Sequence, residues 1–308
     1  PHGLVRDHDR LVFHASDAAE RHGAWVSDGT PEGTHPLEPA VAGSSNPESL
    51  TAISPNVIVF AARDDEHGNE LWVSDGTPQG TRLLRDIQPG PESSQLHETA
   101  SDFLPLDDRV VFRADADNGV VRWVTDATPE GTMPFEGEVP PPPDDGVPEW
   151  LIDTLSSYQS CAEPFDLTVR SAVARLGERW LFRGSDELHG PELWVAGGAP
   201  ETAVLLRDLR EGRDGSGPNG FVVAGDRVFF SANDGLSGRE LWVSDGTPQG
   251  TRLFCDLAPG PASSSPESLA VSGDLLFFTA FDPEIGRELW AVRLDESRAI
   301  GCIGAARH

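Results

Sequence analysis

The chain has 308 residues and a formal net charge of −28, from 51 acidic and 23 basic residues, and every one of those basic residues is arginine. With 38% apolar residues and eight tryptophans it can fill a core, which excludes a disordered segment. No apolar run approaches the roughly 18–20 residues of a membrane span, and so acidic a chain repels both nucleic-acid phosphate and anionic lipid.

In chain order, Gly3–Val5 and Leu11–Phe13 read as short strands. No signal peptide is legible before them, so a mature or trimmed form is expected. A twelve-residue phrase then organises the chain: Glu70 to Thr81 returns, residue for residue, as Glu240 to Thr251. Its tryptophan sets a register of Trp25, Trp72, Trp123, Trp194, Trp242 and Trp290, at spacings of 47, 51, 71, 48 and 48 residues. Trp150 and Trp180 fall outside that register.

Within the fifth copy every element reads as β. Arg227–Ala232 is a short run of β-branched and aromatic residues, and Glu240–Ser244 alternates like a half-buried strand. Asp245-Gly246 signals a tight turn, Thr251–Leu257 a third strand, and Ser268–Ser272 a fourth after a Pro/Gly/Ser loop. Four antiparallel strands every ~40–50 residues mark a propeller blade. The expectation is one all-β domain over 1–308, a six-bladed β-propeller of four-stranded antiparallel blades. Gly3–Val5 would supply the outer strand of the last blade, closing the ring between the N- and C-terminal strands and removing exposed edges. An open array or β-solenoid is the rival architecture.

The phrase ELWVSDGTPQGT, followed by Leu83–Gly90, resembles the ELWxxDGT repeat family of bacterial proteins, from about Leu11 to Leu294. Copies two and five match closely. Copy one has Gly23-Ala24-Trp25, copy three Val121-Arg122-Trp123, and copy four Ala196–Ala199 at the turn. The resemblance implies an extracytoplasmic repeat protein with no settled chemistry.

The register tryptophans read as core, with sugar platforms as the alternative. The Asp-Gly-Thr-Pro-x-Gly-Thr segment reads as a hairpin connection whose side chains satisfy local backbone groups. A second carboxylate closes the first strand of each copy, at Asp17, Asp64, Asp115, Asp186, Asp234 and Asp282. These read as turn caps, or as oxygens for a structural calcium ion. The best metal candidates are Asp115, Asp117 and Asn118, before Gly119, although no bidentate Glu follows.

About 23 extra residues interrupt copy three at about 136–160: Pro140–Pro143, then Asp144 and Asp145, then a helix-like stretch with Trp150, Tyr158 and Cys161. Long loops on a rigid scaffold carry binding sites, so Trp150, Tyr158, Asp144 and Asp145 are the ligand-binding candidates. Cys161, Cys255 and Cys302 allow one bridge in any of three pairings. No complete nucleophile elbow or His-Glu-x-x-His motif is present, and no catalytic residue is assigned. The functional expectation is a monomeric, non-catalytic, extracytoplasmic binding protein for a protein or glycan partner. A calcium-dependent hydrolase or lyase with a channel metal, and a structural surface repeat protein, are the alternatives.

Overall fold

The computed structural model describes residues 1–17, 22–37, 47–91, 93–94, 96, 103–106, 108–116, 119–136, 147–148, 150–152 and 171–294. The chain divides into two compact units, 1–141 and 142–307. The first holds three four-stranded antiparallel sheets in chain order. Sheet one is β1 (His2–Asp7), β2 (Arg10–Ser16), β3 (His22–Ser27) and β4 (His35–Pro36). Sheet two is β5 (Glu48–Ser54), β6 (Val57–Asp64), β7 (Gly68–Ser74) and β8 (Arg82–Arg85). Sheet three is β9 (Leu104–Leu106), β10 (Arg109–Ala116), β11 (Gly119–Thr125) and β12 (Met133–Pro134).

The second unit repeats the plan. Sheet four is β13 (Val173–Leu176), β14 (Arg179–Gly184), β15 (Glu192–Ala196) and β16 (Val204–Arg207). Sheet five is β17 (Asn219–Ala224), β18 (Arg227–Asn233), β19 (Arg239–Ser244) and β20 (Arg252–Cys255). Sheet six has three strands among the described residues, β21 (Glu267–Ser272), β22 (Leu275–Asp282) and β23 (Gly286–Arg293).

Strand grouping differs from the sequence expectation by one strand. The strand after the Pro/Gly/Ser loop pairs forward: Ser272 faces Leu275 across a two-residue turn, as Asp7 faces Arg10. Tight turns with a positive-φ residue, Gly273 or His8, hold those neighbours together. Gly3–Val5 therefore lies in β1, bonded to β2 in sheet one, and is not an outer strand of the last sheet.

Each sheet pairs a phenylalanine with its register tryptophan, Phe60 with Trp72 and Phe230 with Trp242 for example. Alternate residues of the second strand feed opposite cores. Phe60 packs with sheet one while Val59 and Ala61 pack with sheet three. In the second unit Phe230 joins sheet four and Phe229 joins sheet six. A strand covered on both faces becomes a continuous apolar run, as Val57–Ala62 does.

The glutamate of the repeated phrase is fully buried in three copies, at Glu70, Glu192 and Glu240. Each carboxylate accepts from the loop that leaves its own sheet. Glu70 takes the backbone N–H groups of Ile87 (2.8 Å), Gln88 (3.2 Å) and Ser94 (3.0 Å). Glu192 takes those of Leu209, Arg210 and Ser216, plus the Ser216 hydroxyl at 2.6 Å. Glu240 takes those of Leu257 and Ser264 and the Ser264 hydroxyl. The serine carbonyl then accepts from the second strand of the next sheet, Ser94 from Asp115, Ser216 from Asn233 and Ser264 from Phe281.

The Asp-Gly-Thr turn is equally self-contained. Asp245 Oδ1 accepts from the Thr247 N–H and hydroxyl, Thr247 Oγ1 accepts from Gly250 N, and the Thr251 hydroxyl donates to the Thr247 carbonyl. The same bonds recur around Asp28, Asp75 and Asp126. A Cβ on Gly250 would lie 2.0 Å from the Asp245 carboxylate, so the second glycine is a steric requirement.

Glu240→Ala leaves three buried donors without an acceptor and should cost on the order of 3–5 kcal/mol, read from the denaturant midpoint. Burial pushes the Glu70 carboxyl up to about 7 from an ordinary 4.5. Its contribution is therefore full below about pH 4.5 and lost as pH rises through 7. Stability measured from pH 4.5 to 7.5 should fall more steeply with pH in the wild type than in Glu70→Gln.

Candidate functional site

In the second unit the hairpins joining the second and third strands of sheets four and five present the two most exposed large apolar side chains. Asp234 Oδ1 accepts from the N–H groups of Leu236 (2.8 Å) and Ser237 (2.7 Å). Asp186 Oδ1 does the same for Leu188 and His189. Each carboxylate spends itself on the backbone of its own turn. The turn is fixed, and the residue at its apex is pushed outward: Leu188 is 72% and Leu236 79% exposed. In sheet six, Asp282 caps Glu284, and Phe281 and Ile285 are the exposed apolar residues.

These tips are fastened to the outgoing loops of their own sheets. Gly190 N donates to the Gly212 carbonyl, and a Cβ at Gly190 would lie 2.3 Å from the Arg213 carbonyl. At Gly238 it would lie 1.8 Å from the Ala262 carbonyl. Tip and loop thus form one layer, held from beneath by Glu192 or Glu240. The equivalent tip of sheet two is polar, with Glu66 at the apex capped by Asp64.

Two tips carry a histidine on the capping aspartate. His189 Nδ1 lies 2.9 Å from Asp186 Oδ1, and its Nε2 lies 3.9 Å from Asp208 Oδ2. In the first unit His67 Nδ1 lies 2.9 Å from Asp64 Oδ2. The hydrogen bond to aspartate raises each imidazole above its ordinary range and lowers the carboxyl partner. No group of three His, Cys, Asp or Glu residues among those described is disposed to hold a metal ion. Asp115 has one buried carboxylate oxygen without a hydrogen-bond partner there, while Asp117 and Asn118 lie outside the described residues.

Of the ligand-binding candidates, Trp150 is described and half-buried. Its ring meets Phe182 edge to face at 6.2 Å, and its indole donates to the Gly198 carbonyl at 3.4 Å. Trp150–Ile152 are helical, as the sequence suggested for this stretch. Asp144, Asp145 and Tyr158 lie outside the described residues, as do Cys161 and Cys302. Cys255 is disulfide-bonded. Among the register tryptophans, Trp72, Trp123, Trp242 and Trp290 are buried, as core residues should be.

Sequence pattern alone does not single out the apical leucines, because apolar residues in a turn break the usual alternation. The available signal was the repeated Asp-x-Leu-x-Gly of 186–190 and 234–238.

No family model and no curated protein sequence matches the chain. Among solved structures, the AtxE2 isopeptidase aligns with 94% of this chain at 10% identity and a TM-score of 0.53. The β-propeller domain of the Trilobed protease from Pyrococcus furiosus, described as having an open velcro topology, aligns with 96% of the chain and 97% of itself, at 11% identity and a TM-score of 0.44. TolB from Acinetobacter baumannii aligns with 95% of the chain at 11% identity and a TM-score of 0.39. The chain spans 49% of the isopeptidase and 63% of TolB. No helix among the described residues is long and apolar enough to cross a membrane.

Asp186→Ala removes the acceptor that holds the His189 proton. The His189 titration midpoint, followed by NMR, should fall toward that of a free histidine, while His67 is unmoved.

Proposed function

We propose that the six sheets are the blades of a β-propeller and that the chain is a non-catalytic, extracytoplasmic binding protein whose partner is another protein. The propeller reading is supported by sheets that follow one another in chain order. It is supported too by first strands that touch between neighbouring sheets, β1 with β5, β13 with β17 and β17 with β21. The extracytoplasmic reading rests on the disulfide at Cys255, since such bonds persist in oxidising compartments, and on the resemblance to the ELWxxDGT repeat family.

One observation carries the binding reading: Leu188 and Leu236 stand out from capped, glycine-fastened turns on consecutive sheets. Exposed apolar side chains on rigid tips lose little conformational entropy on docking and gain by burial, about 25 cal/mol per Å² of apolar area. A protein surface suits them better than a glycan, because sugar recognition of the stacking kind needs exposed aromatic rings. Four of the six register tryptophans are buried. The insertion with Asp144, Asp145, Trp150 and Tyr158 is a second element of the recognition surface in this proposal.

The test is affinity capture from extracytoplasmic extract of the source, with identification of retained proteins, for the wild type and a Leu188→Asp/Leu236→Asp double variant. Both replaced side chains are exposed, so the melting temperature should stay within about 2 °C. A specific protein retained by the wild type and at least tenfold depleted in the variant is expected. Equal retention, or capture of glycan alone, overturns the reading.

A further inference from the structure

A separate cluster in the second unit has the opposite character to the chain as a whole. Arg183, Ser231 and Thr279 occupy one position in sheets four, five and six, each directly after the phenylalanine that pairs with the register tryptophan. Asn219 faces Ser231 and Glu267 faces Thr279 on the adjoining first strands. Arg239 and Arg287 reach back toward this level. Arg239 donates to the carbonyls of Gly217 (2.9 Å), Ser216 (3.3 Å) and Ser231 (3.4 Å). Arg287 donates to the Ser265 carbonyl at 3.0 Å and lies 3.3 Å from Glu267.

Three guanidinium groups therefore share this level with one carboxylate, and Glu267 is 64% exposed and paired to Arg287. Arg183 is half-buried, yet its guanidinium makes no hydrogen bond or ion pair among the described residues. None of its five N–H donors is spent on a described residue. The hydroxyl of Ser231, a residue only 3% exposed, also has no hydrogen-bond partner there. Burial, and then the charge of Arg183, hold the Arg239 guanidinium below the usual arginine range, so the two cations are close enough to repel. A half-buried cation with no carboxylate partner carries a desolvation cost. An open fork and a spare hydroxyl, beside a second cation that the first repels, share one remedy: an oxyanion.

We propose that Arg183, Arg239 and the Ser231 hydroxyl form a binding site for the carboxylate group of a small ligand. The planar fork of Arg183 matches a carboxylate bidentately. A compact monoanion is preferred over phosphate because a chain of net charge −28 repels a dianion about twice as strongly at long range. The site is distinct from the leucine tips and does not depend on the binding reading given above.

The experiment uses the whole chain, with acetate, propionate, inorganic phosphate and sodium chloride as probes at matched ionic strength and pH 7. Acetate and propionate should raise the melting temperature saturably where chloride does not. Arg183→Gln should weaken that response at least tenfold. Without ligand the variant should melt no lower than the wild type, since it removes a half-buried charge that pairs with no described residue. The Leu188→Asp/Leu236→Asp variant should keep the carboxylate response. Equal melting in carboxylate and chloride overturns the site, as does an unchanged response in Arg183→Gln. Phosphate binding tenfold tighter than acetate overturns the choice of ligand.

Discussion

The architecture depends on a buried glutamate. At each of Glu70, Glu192 and Glu240 a carboxylate with no exposure gathers the N–H groups of a loop that has no strand to pair with. Loops that leave a sheet are normally pushed to the surface, because their backbone groups need water. Here the side chain takes the place of water, so the loop can lie against its own sheet and deliver the chain to the next one in fixed register. The serine 24 residues after the glutamate completes the link, bonding back to the carboxylate and offering its carbonyl forward. Cooperation between sheets thus runs through hydrogen bonds as well as through the apolar layers between them.

Arginine supplies a second link of the same kind. Arg10 of sheet one donates to the Asp75 carbonyl in the turn of sheet two, and Arg85 of sheet two to Pro129 in the turn of sheet three. In the second unit Arg179 donates to Gly246, and Arg207 to Pro248 and Thr251. The turn uses its own side chains to satisfy its N–H groups, which leaves carbonyls pointing outward. A guanidinium can reach two such carbonyls at once, which a lysine ammonium cannot do in a fixed plane. This gives a structural use to several of the arginines in a chain without lysine.

Much of this was legible in the sequence because repetition multiplies a weak signal. The tryptophan register, the all-β content and the hairpin role of Asp-Gly-Thr follow from residue types that recur at fixed spacing. The grouping of strands into sheets was not legible in the same way. A periodic chain can be cut at any phase, and the short turns between first and second strands, as at His8-Asp9, Gly177-Glu178, Gly225-Asp226 and Gly273-Asp274, show that the break falls at the longer loop. The role of the glutamate was hidden for a different reason. Its partners are backbone groups 17 and 24 residues onward, which carry no side-chain signature beyond the serine. At the candidate site the capping aspartates were visible, but the outward direction of Leu188 and Leu236 is a consequence of turn geometry.

The same logic separates scaffold from function. Positions that repeat are occupied within the repeat: the Asp and Thr of the turn and the buried Glu by hydrogen bonds, the tryptophan by apolar packing. A side chain whose polar atoms are all satisfied within its own repeat has little left to offer a partner. Recognition then falls to positions where the copies disagree. The tip apex is Glu66 in one copy and Leu188 or Leu236 in others. The position after the paired phenylalanine is His14, Ala61, Arg113, Arg183, Ser231 or Thr279. Both sets stand on backbones held by the conserved bonds of their neighbours. Their variation costs the fold little, and it sets which surface this copy of a common architecture presents.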